Sequence, residues 1–487
     1  MPVRSSIGII WLTVLILLPA GCAVGPDFQP PKAPKTDSRL PQPLIADGES
    51  QQWVKGGDIP ARWWQLFHSP ALNVLVRRAI EHNPDLQAAE ASLRQARENV
   101  AAAGGRLLPE IDAAAGARRQ KVSFAQFGQP GNGSSRYTLY NASVDVSYGI
   151  DLFGGTRRQI ELLQAEADLR HEQLEAAWLT VTANVVTAAL QEASLRARID
   201  ATRAMIAADE AQLKMLRRQL ELGGASRSDL LAGEARLADT RAALPELKKQ
   251  LALIRNQLAA LTGRIAGSDD TDERFDLSAL QLPGELPLSL PSSLVAQRPD
   301  IRAAEARLHA ASAEVGVATA NMLPQLTLTG SYGTVGTQPG QLFTADSMIW
   351  NMGAGLVQPL FRGGELQHRR KAAIAAFDEA AARYRSTVLA AFRNVADVLR
   401  VLESDTETLA ARDAARQAAQ RSRDLAQRQF RVGAISYLAR LDAERVYQQA
   451  RIAFVQARAD RYADTAALFQ ALGGGWWNRD KAVEKQP

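Results

Sequence analysis

Asn83-Pro84-Asp85-Leu86-Gln87-Ala88-Ala89-Glu90-Ala91 is written a second time in the same chain as Arg298-Pro299-Asp300-Ile301-Arg302-Ala303-Ala304-Glu305-Ala306. Working outward from this pair, further anchors repeat in order. Leu108-Pro109 returns as Leu323-Pro324, and Leu152-Phe153-Gly154-Gly155 as Leu360-Phe361-Arg362-Gly363-Gly364. Gly223, Ser226, Leu231 and Glu234 correspond to Gly433, Ser436, Leu441 and Glu444. Spacing drifts by only a few residues, so the chain is two structural repeats of one unit.

Each repeat has the same internal order. A helix of roughly 23 residues (about 84–106, then 299–322) leads into two short alternating segments separated by a loop. An uninterrupted helical pattern of roughly 65 residues follows (about 156–222, then 365–431), on the order of 100 Å long. After a glycine turn comes a helix of roughly 37 residues (about 226–262, then 436–472). Two short rods of those lengths nearly equal one long rod, which predicts that they abut end to end beside it. Leu230, Leu237, Leu244, Leu251 and Leu258 recur every seven residues, with Leu247, Ile254 and Leu261 in the complementary seam, the pattern of coiled-coil packing. Pro245 interrupts that seam and is expected to kink the helix or leave a backbone bond unmade.

The alternating segments carry the functional information. From Tyr140 the apolar set Tyr140, Ala142, Val144, Val146, Tyr148, Ile150 and Leu152 interleaves with Asn141, Ser143, Asp145, Ser147, Gly149 and Asp151. Leu326, Leu328, Gly330 and Tyr332 alternate with Gln325, Thr327, Thr329 and Ser331, and Met348, Trp350, Met352, Ala354 and Leu356 with Asn351, Gly353 and Gly355. The segment from Ile111 through Ala113, Ala115 and Ala117 is the weakest of the four. Period two over this length, with Ser, Thr, Asn and Gly on the second face, fits a membrane strand with one wet side. Four strands cannot close a barrel, and an open edge inside a bilayer leaves backbone groups unpaired. The barrel is therefore expected to be shared between chains, eight strands in a dimer or twelve in a trimer. Loops around 122–136 and 334–346, rich in Gly, Pro and Ser, are placed outside the cell.

The start of the chain reads as a processing signal: Arg4, an apolar run from Ile7 to Leu18 too short to span a bilayer, then Pro19-Ala20-Gly21-Cys22. Cys22 is the only cysteine of 487 residues, which excludes an internal disulfide. Its position marks it for lipidation, although Pro19 stands where the lipoprotein signal usually has Leu. Several acyl chains would anchor it stably. Ala23 in place of an aspartate implies sorting to the outer membrane. The formal charge of +5 is spread as Arg interleaved with Glu and Asp on solvated helix faces, so nucleic acid is not an expected partner. Five histidines, His68, His82, His171, His309 and His368, show no ligand spacing, and no nucleophile elbow or phosphate loop is present, so no enzyme, metal or cofactor is expected. The acidic stretch Asp269, Asp270, Asp272 and Glu273 has the residue types to hold calcium but reads better as an exposed loop.

Together these features resemble the TolC-like outer-membrane efflux channel family, in particular its lipoprotein branch of the OprM/NodT type. Cys22-Ala23-Val24-Gly25-Pro26-Asp27-Phe28 is similar to that branch's mature start, and Trp63-Trp64-Gln65-Leu66-Phe67 with Ser69-Pro70-Ala71-Leu72 to its next characteristic stretch. The resemblance implies a mixed α and β membrane protein: a homotrimer with a trimeric 12-strand transmembrane β-barrel continued by an α-helical coiled-coil periplasmic tunnel. It implies an equatorial belt from about 40–75, 265–297 and the C-terminal tail. It also implies a periplasmic adaptor and an inner-membrane pump of the RND type as partners. The expected division is a signal peptide at 1–21, a lipidated N-terminal and equatorial part at 22–82, repeats at 83–264 and 298–475, a linker at 265–297 and a tail at 476–487.

Family gating residues follow the helix-turn glycines, which Gly223 and Gly433 match. By that resemblance Asp442 and Leu438 line a constriction, with Asp229, Arg431 and Phe430 in the network that holds it shut. Phe430 stands where many relatives have Tyr, and Ala439 where some carry a second aspartate. A helix-start role for Asp229, favoured by the helix dipole, competes with a gate role. The implied activity is passive export of drugs or other small solutes. A protein-secretion duct of type I and a lipid-anchored coiled-coil scaffold without a pore are the alternatives.

Overall fold

The computed structural model describes residues 23–32, 44–46, 49–123, 133–267, 275–288 and 291–479. Cys22, the acidic stretch 269–273 and much of the 122–136 loop lie outside them. The chain divides into two compact units, the first made of 1–30, 92–170 and 304–384 and the second of 31–91, 171–303 and 385–487. In chain order the strands are β1 (Leu44–Ala46), β2 (Glu49–Lys55), β3 (Glu110–Ser123), β4 (Ser134–Ile150), β5 (Glu285–Leu288), β6 (Gln325–Gly336) and β7 (Met348–Val357). The helices are α1 (Pro70–His82), α2 (Pro84–Gly105), α3 (Gly155–Glu221), α4 (Arg227–Leu261), α5 (Pro291–Gln297), α6 (Pro299–Ala320), α7 (Glu365–Arg431) and α8 (Tyr437–Ala471). Both long helices have 67 residues and both hairpin partners 35. Helix α4 continues through Pro245, whose nitrogen carries no hydrogen to donate to the carbonyl of Arg241.

In the first unit β3, β4, β6 and β7 form one antiparallel sheet in that order. Its register turns the sequence alternation into faces. Ala113 lies opposite Val144, Val144 opposite Tyr332, and Tyr332 opposite Trp350, so one apolar row crosses all four strands. The neighbouring row, Asp112, Asp145, Ser331 and Asn351, is polar throughout. Ile349 departs from the pattern and falls in the polar row with Gly333 and Ser143. Strands of 10 to 17 residues meet the about 9–11 tilted residues a bilayer crossing requires. Among the described residues the outer strands β3 and β7 each pair on one side only. All ten residues of β7 are exposed, with Trp350 and Met352 71 % and 83 % accessible.

The segment following Cys22 is docked in the same unit. Val24 donates its N–H to the Phe153 carbonyl at 3.0 Å. Arg158, whose side chain is only 5 % exposed, donates to the Val24 carbonyl at 3.1 Å and to the Asp27 and Glu161 carboxylates at 2.7 Å each. Phe28 stacks on His309 with ring centroids 4.4 Å apart. A Cβ on Gly316 would strike Arg158 at 2.8 Å, so glycine there admits the arginine.

The second unit holds the main core, where Trp63, Phe67, Tyr462 and Phe469 pack with Leu190, Leu286 and Leu402. Strand β2 pairs antiparallel with β1 and parallel with β5. Arg461, 2 % exposed, ties this sheet to the helices by donating to the Leu402 carbonyl at 2.6 Å and to the Gln51 side-chain oxygen. Burial lowers the Arg461 guanidinium to about 10. It raises Asp405 to about 7, helped by the neighbouring Asp464 and Asp460 carboxylates.

The repeat signature marks the place where the short rods meet. Asn83 caps α2 by accepting from the N–H groups of Asp85 and Leu86, while its amide donates to the Leu261 carbonyl at the end of α4, at 3.0 Å. In the second repeat Arg298 takes that place, donating to the Ala471 carbonyl at the end of α8 at 2.7 Å. Gly263 and Gly473 follow those helix ends with φ of 69° and 100°. A Cβ on either would strike the carbonyl of His82 or Gln297, at 2.3 Å and 2.9 Å. The abutment expected from helix lengths is thus present twice, with the otherwise orphaned helix-end carbonyls satisfied by the residue before each proline.

Candidate functional site: the two hairpin turns

Both long helices end in the same backbone device. After α3, Gly223 has φ 74°, its N–H donates to the Leu220 carbonyl at 3.0 Å, and the Gly224 N–H donates to the Gln219 carbonyl at 2.7 Å. After α7, Gly433 has φ 73°, its N–H donates to the Phe430 carbonyl at 3.0 Å, and the Ala434 N–H donates to the Gln429 carbonyl at 2.8 Å. This is the Schellman closure, which calls for a residue with no Cβ at the left-handed position. Three residues on, Ser226 and Ser436 cap the returning helices, their hydroxyls accepting from the N–H of Asp229 and of Ala439, at 3.1 Å each.

Side chains separate the two turns. Asp229 closes a full capping box, accepting from the Ser226 N–H at 3.0 Å and from the Ser226 hydroxyl at 2.6 Å. Those bonds hold its carboxyl below the usual carboxylate range. Asp229 is therefore engaged within its own turn, and within one chain it makes no ion pair with Arg431, which is exposed. At the second turn Ala439 leaves the acidic half of the box empty. Aromatic contact takes its place: Phe430 and Tyr437 lie 5.4 Å apart, and the Arg440 guanidinium sits 5.4 Å and 4.7 Å from their ring centres. Sequence reading named Phe430 but missed Arg440. The signal was its position one helical turn after Tyr437.

Asp442 is exposed and Leu438 half-buried on the first turns of α8. Leu222 and Val432, the residues before the two glycines, are 70 % and 80 % exposed. Behind the turns the two hairpins meet. Arg198 donates to Gln456 at 2.9 Å, and the buried Asp209 lies 4.0 Å from Arg445 while accepting from Thr240 at 2.7 Å.

A four-stranded sheet with alternating apolar and polar rows, joined in sequence to helical hairpins of this length, matches the architecture of an outer-membrane channel protomer. The family model for outer membrane efflux proteins matches residues 75–264 and 290–474, one span for each repeat. The chain belongs to that family, whose members are outer-membrane channel components of efflux systems. Among curated relatives, the pyoverdine export outer membrane protein OpmQ of Pseudomonas aeruginosa is 32 % identical over 422 residues, 85 % of this chain and 87 % of the relative. The probable efflux pump outer membrane protein TtgC of Pseudomonas putida is 30 % identical over 483 residues, 98 % of this chain and 97 % of the relative. Among solved structures, the outer-membrane channel OprN superposes with a TM-score of 0.82 at 29 % identity, covering 93 % of this chain and all of that one. The open state of the Neisseria gonorrhoeae MtrE outer membrane channel gives 0.79 at 26 % identity, covering 93 % and 99 %. The outer membrane is accordingly the site at which the chain acts.

Proposed function

We propose that this chain is the passive exit duct of a tripartite efflux pump, working as a homotrimer in which three sheets close one twelve-stranded barrel. The observation that carries the reading is the sheet itself. Its register gathers apolar side chains in one set of rows and polar ones in the alternate set, and leaves β3 and β7 unpaired on their outer sides. In a bilayer each free edge would strand backbone donors and acceptors at several kcal/mol apiece. Pairing β3 of one protomer with β7 of the next removes that cost and repeats head to tail until the ring closes. Export of small solutes is the activity that the relatives' names support, with a periplasmic adaptor and an inner-membrane pump of the RND type as partners. The exposed Leu222 and Val432 beside Gly223 and Gly433 offer the adaptor apolar contacts at both turns.

In this reading Cys22 carries the lipid anchor, and the docked segment from Val24 to Phe28 fixes where that anchor emerges. The tunnel narrows at the second turn, where three copies of Asp442 surround the axis and Leu438 packs beside them. A carboxylate ring of this kind favours cations and disfavours anions. Opening moves the hairpins apart and breaks the contacts of Asp209 with Arg445 and of Arg198 with Gln456.

The test is single-channel conductance of the purified mature protein in planar bilayers, for wild type and Asp442→Ser. Small cation-preferring steps in wild type, with steps several-fold larger or less selective in the variant, are expected. Conductance untouched by the substitution moves the constriction away from Asp442. No conductance from an intact, inserted oligomer replaces the duct with the pore-free scaffold. A changed secreted-protein profile in a deletion strain that tolerates drugs normally would instead favour protein secretion.

A further inference from the structure

A cavity of about 900 Å³ opens in the second unit between the two hairpins and the segment Phe275–Leu277. Its charge is one-sided. Arg196, Arg203, Lys248 and Arg255 enter from the first hairpin, and Arg416, Arg451 and Arg458 from the second, against only Asp200 and Asp276 among the lining acids. Some of these cations are already engaged: Arg196 and Arg255 share Glu192 at 2.6 Å and 3.4 Å, Arg203 pairs with Asp200 at 3.2 Å, and Arg416 with Asp413 at 2.5 Å. Cations still exceed acids when Glu192 and Asp413 are counted. Lys248 and Arg451, one from each hairpin, have no ion pair or hydrogen bond among the described residues. The floor is apolar, with Phe275, Phe454, Ile199 and Leu251, and the Arg416 guanidinium covers the Phe454 ring at 4.6 Å.

We propose that this cleft is a docking site for an acidic segment of a periplasmic partner protein, with carboxylates on the arginine rim and apolar side chains on the floor. The planar guanidinium groups match carboxylates in two-point contacts, and the apolar floor supplies the anchor that charge alone lacks. Clustered like charge between low-dielectric walls also draws an acidic partner in faster than diffusion alone. The proposal rests on the reading that the hairpins stand in the periplasm. It adds to that reading a partner of defined chemistry and a contact remote in sequence from both turns.

The experiment uses the full-length oligomer in lipid nanodiscs and the anisotropy of a short fluorescein-labelled peptide of alternating glutamate and leucine. Saturable binding that weakens with salt is expected, with at least a tenfold loss in the Lys248→Glu, Arg451→Glu double variant. Arg393→Glu, Arg400→Glu carries the same change in charge on an exposed face of α7 and is expected to bind like wild type. Equal losses in both double variants would reduce the effect to net charge and overturn the proposal. If the reversed variant fails to assemble, Lys248→Gln, Arg451→Gln serves in its place, with retention of wild-type affinity overturning the proposal. Binding that appears only after Asp269, Asp270, Asp272 and Glu273 are neutralised would make the chain's own acidic stretch the occupant, and the partner would fall. Conductance measured on the same samples separates the two readings. Peptide binding without a pore defeats only the duct, and a pore without peptide binding defeats only the docking site.

Discussion

The two hairpin turns share a backbone and differ in what stabilises it. Gly223 and Gly433 close their helices with matching pairs of hydrogen bonds, and Ser226 and Ser436 restart them in the same way. Past that point the first turn relies on a carboxylate box at Asp229, while the second relies on Phe430, Tyr437 and Arg440. A duplicated element can therefore keep its geometry while its chemistry diverges. The first turn is a self-contained polar cap. The second commits its side chains to a ring cluster, and Asp442 beside it is exposed, with no hydrogen bond or ion pair among the described residues.

The strongest way to break the shared part is at the glycines. Gly223→Val and Gly433→Val each force a β-branched residue into a left-handed conformation, at about 1–2 kcal/mol or more. Both are expected to hasten proteolysis at the altered turn to a similar degree. A large inequality would show that the second turn's aromatic cluster supports the backbone independently.

Removing the caps comes next. Ser226→Ala is expected to cost about 1–2 kcal/mol, since it removes the cap and one of the two donors to Asp229; Ser436→Ala removes only the cap, at about 1 kcal/mol or less. Denaturant titration followed at each turn by a site-specific fluorophore would read the difference.

Arg440→Gln sharpens the contrast from the other side. Losing the cation over two rings is expected to cost about 0.5–1 kcal/mol and to loosen only the second turn, seen as faster motion of a spin label at Ala434.

Acid gives the smallest effect. The Asp229 carboxyl titrates below its usual value, so its contribution is present above about pH 3.8 and is lost as pH falls through the lowered value. Hydrogen-exchange protection of residues 226–230 is expected to hold at pH 5 and to drop as pH falls below about 3.8, while 436–440, with Ala439 at the matching position, holds.

Most of the framework was legible because it is punctuated by residues with few conformational options. Pro84 and Pro299 start helices, Gly223 and Gly433 end them, and serines restart them, so predicted boundaries lie within about two residues of those observed. Strict alternation likewise gave β4 and β6 their faces. What stayed hidden depends on partners distant in sequence. Nothing near Gln51 signals that its side chain receives a buried arginine 410 residues away, so the small β1-β2-β5 sheet left no pattern to read. Strand β3 was read weakly from four small or apolar residues, yet it pairs over 14 because β4 supplies the register. At the candidate site the turns were readable, but the choice of Asp229 for capping depended on hydroxyl geometry that spacing alone leaves open.

The unpaired margins of the β3–β7 sheet have a genetic consequence. In the proposed ring each subunit would both offer an edge and receive one, so a single copy with a damaged β7 would leave its own margin and that of its neighbour unmatched, and the whole ring would be lost with it. Substitutions confined to β7 are expected to act dominantly over a normal copy in the same cell, whereas losses at the turns spoil only the subunit that carries them.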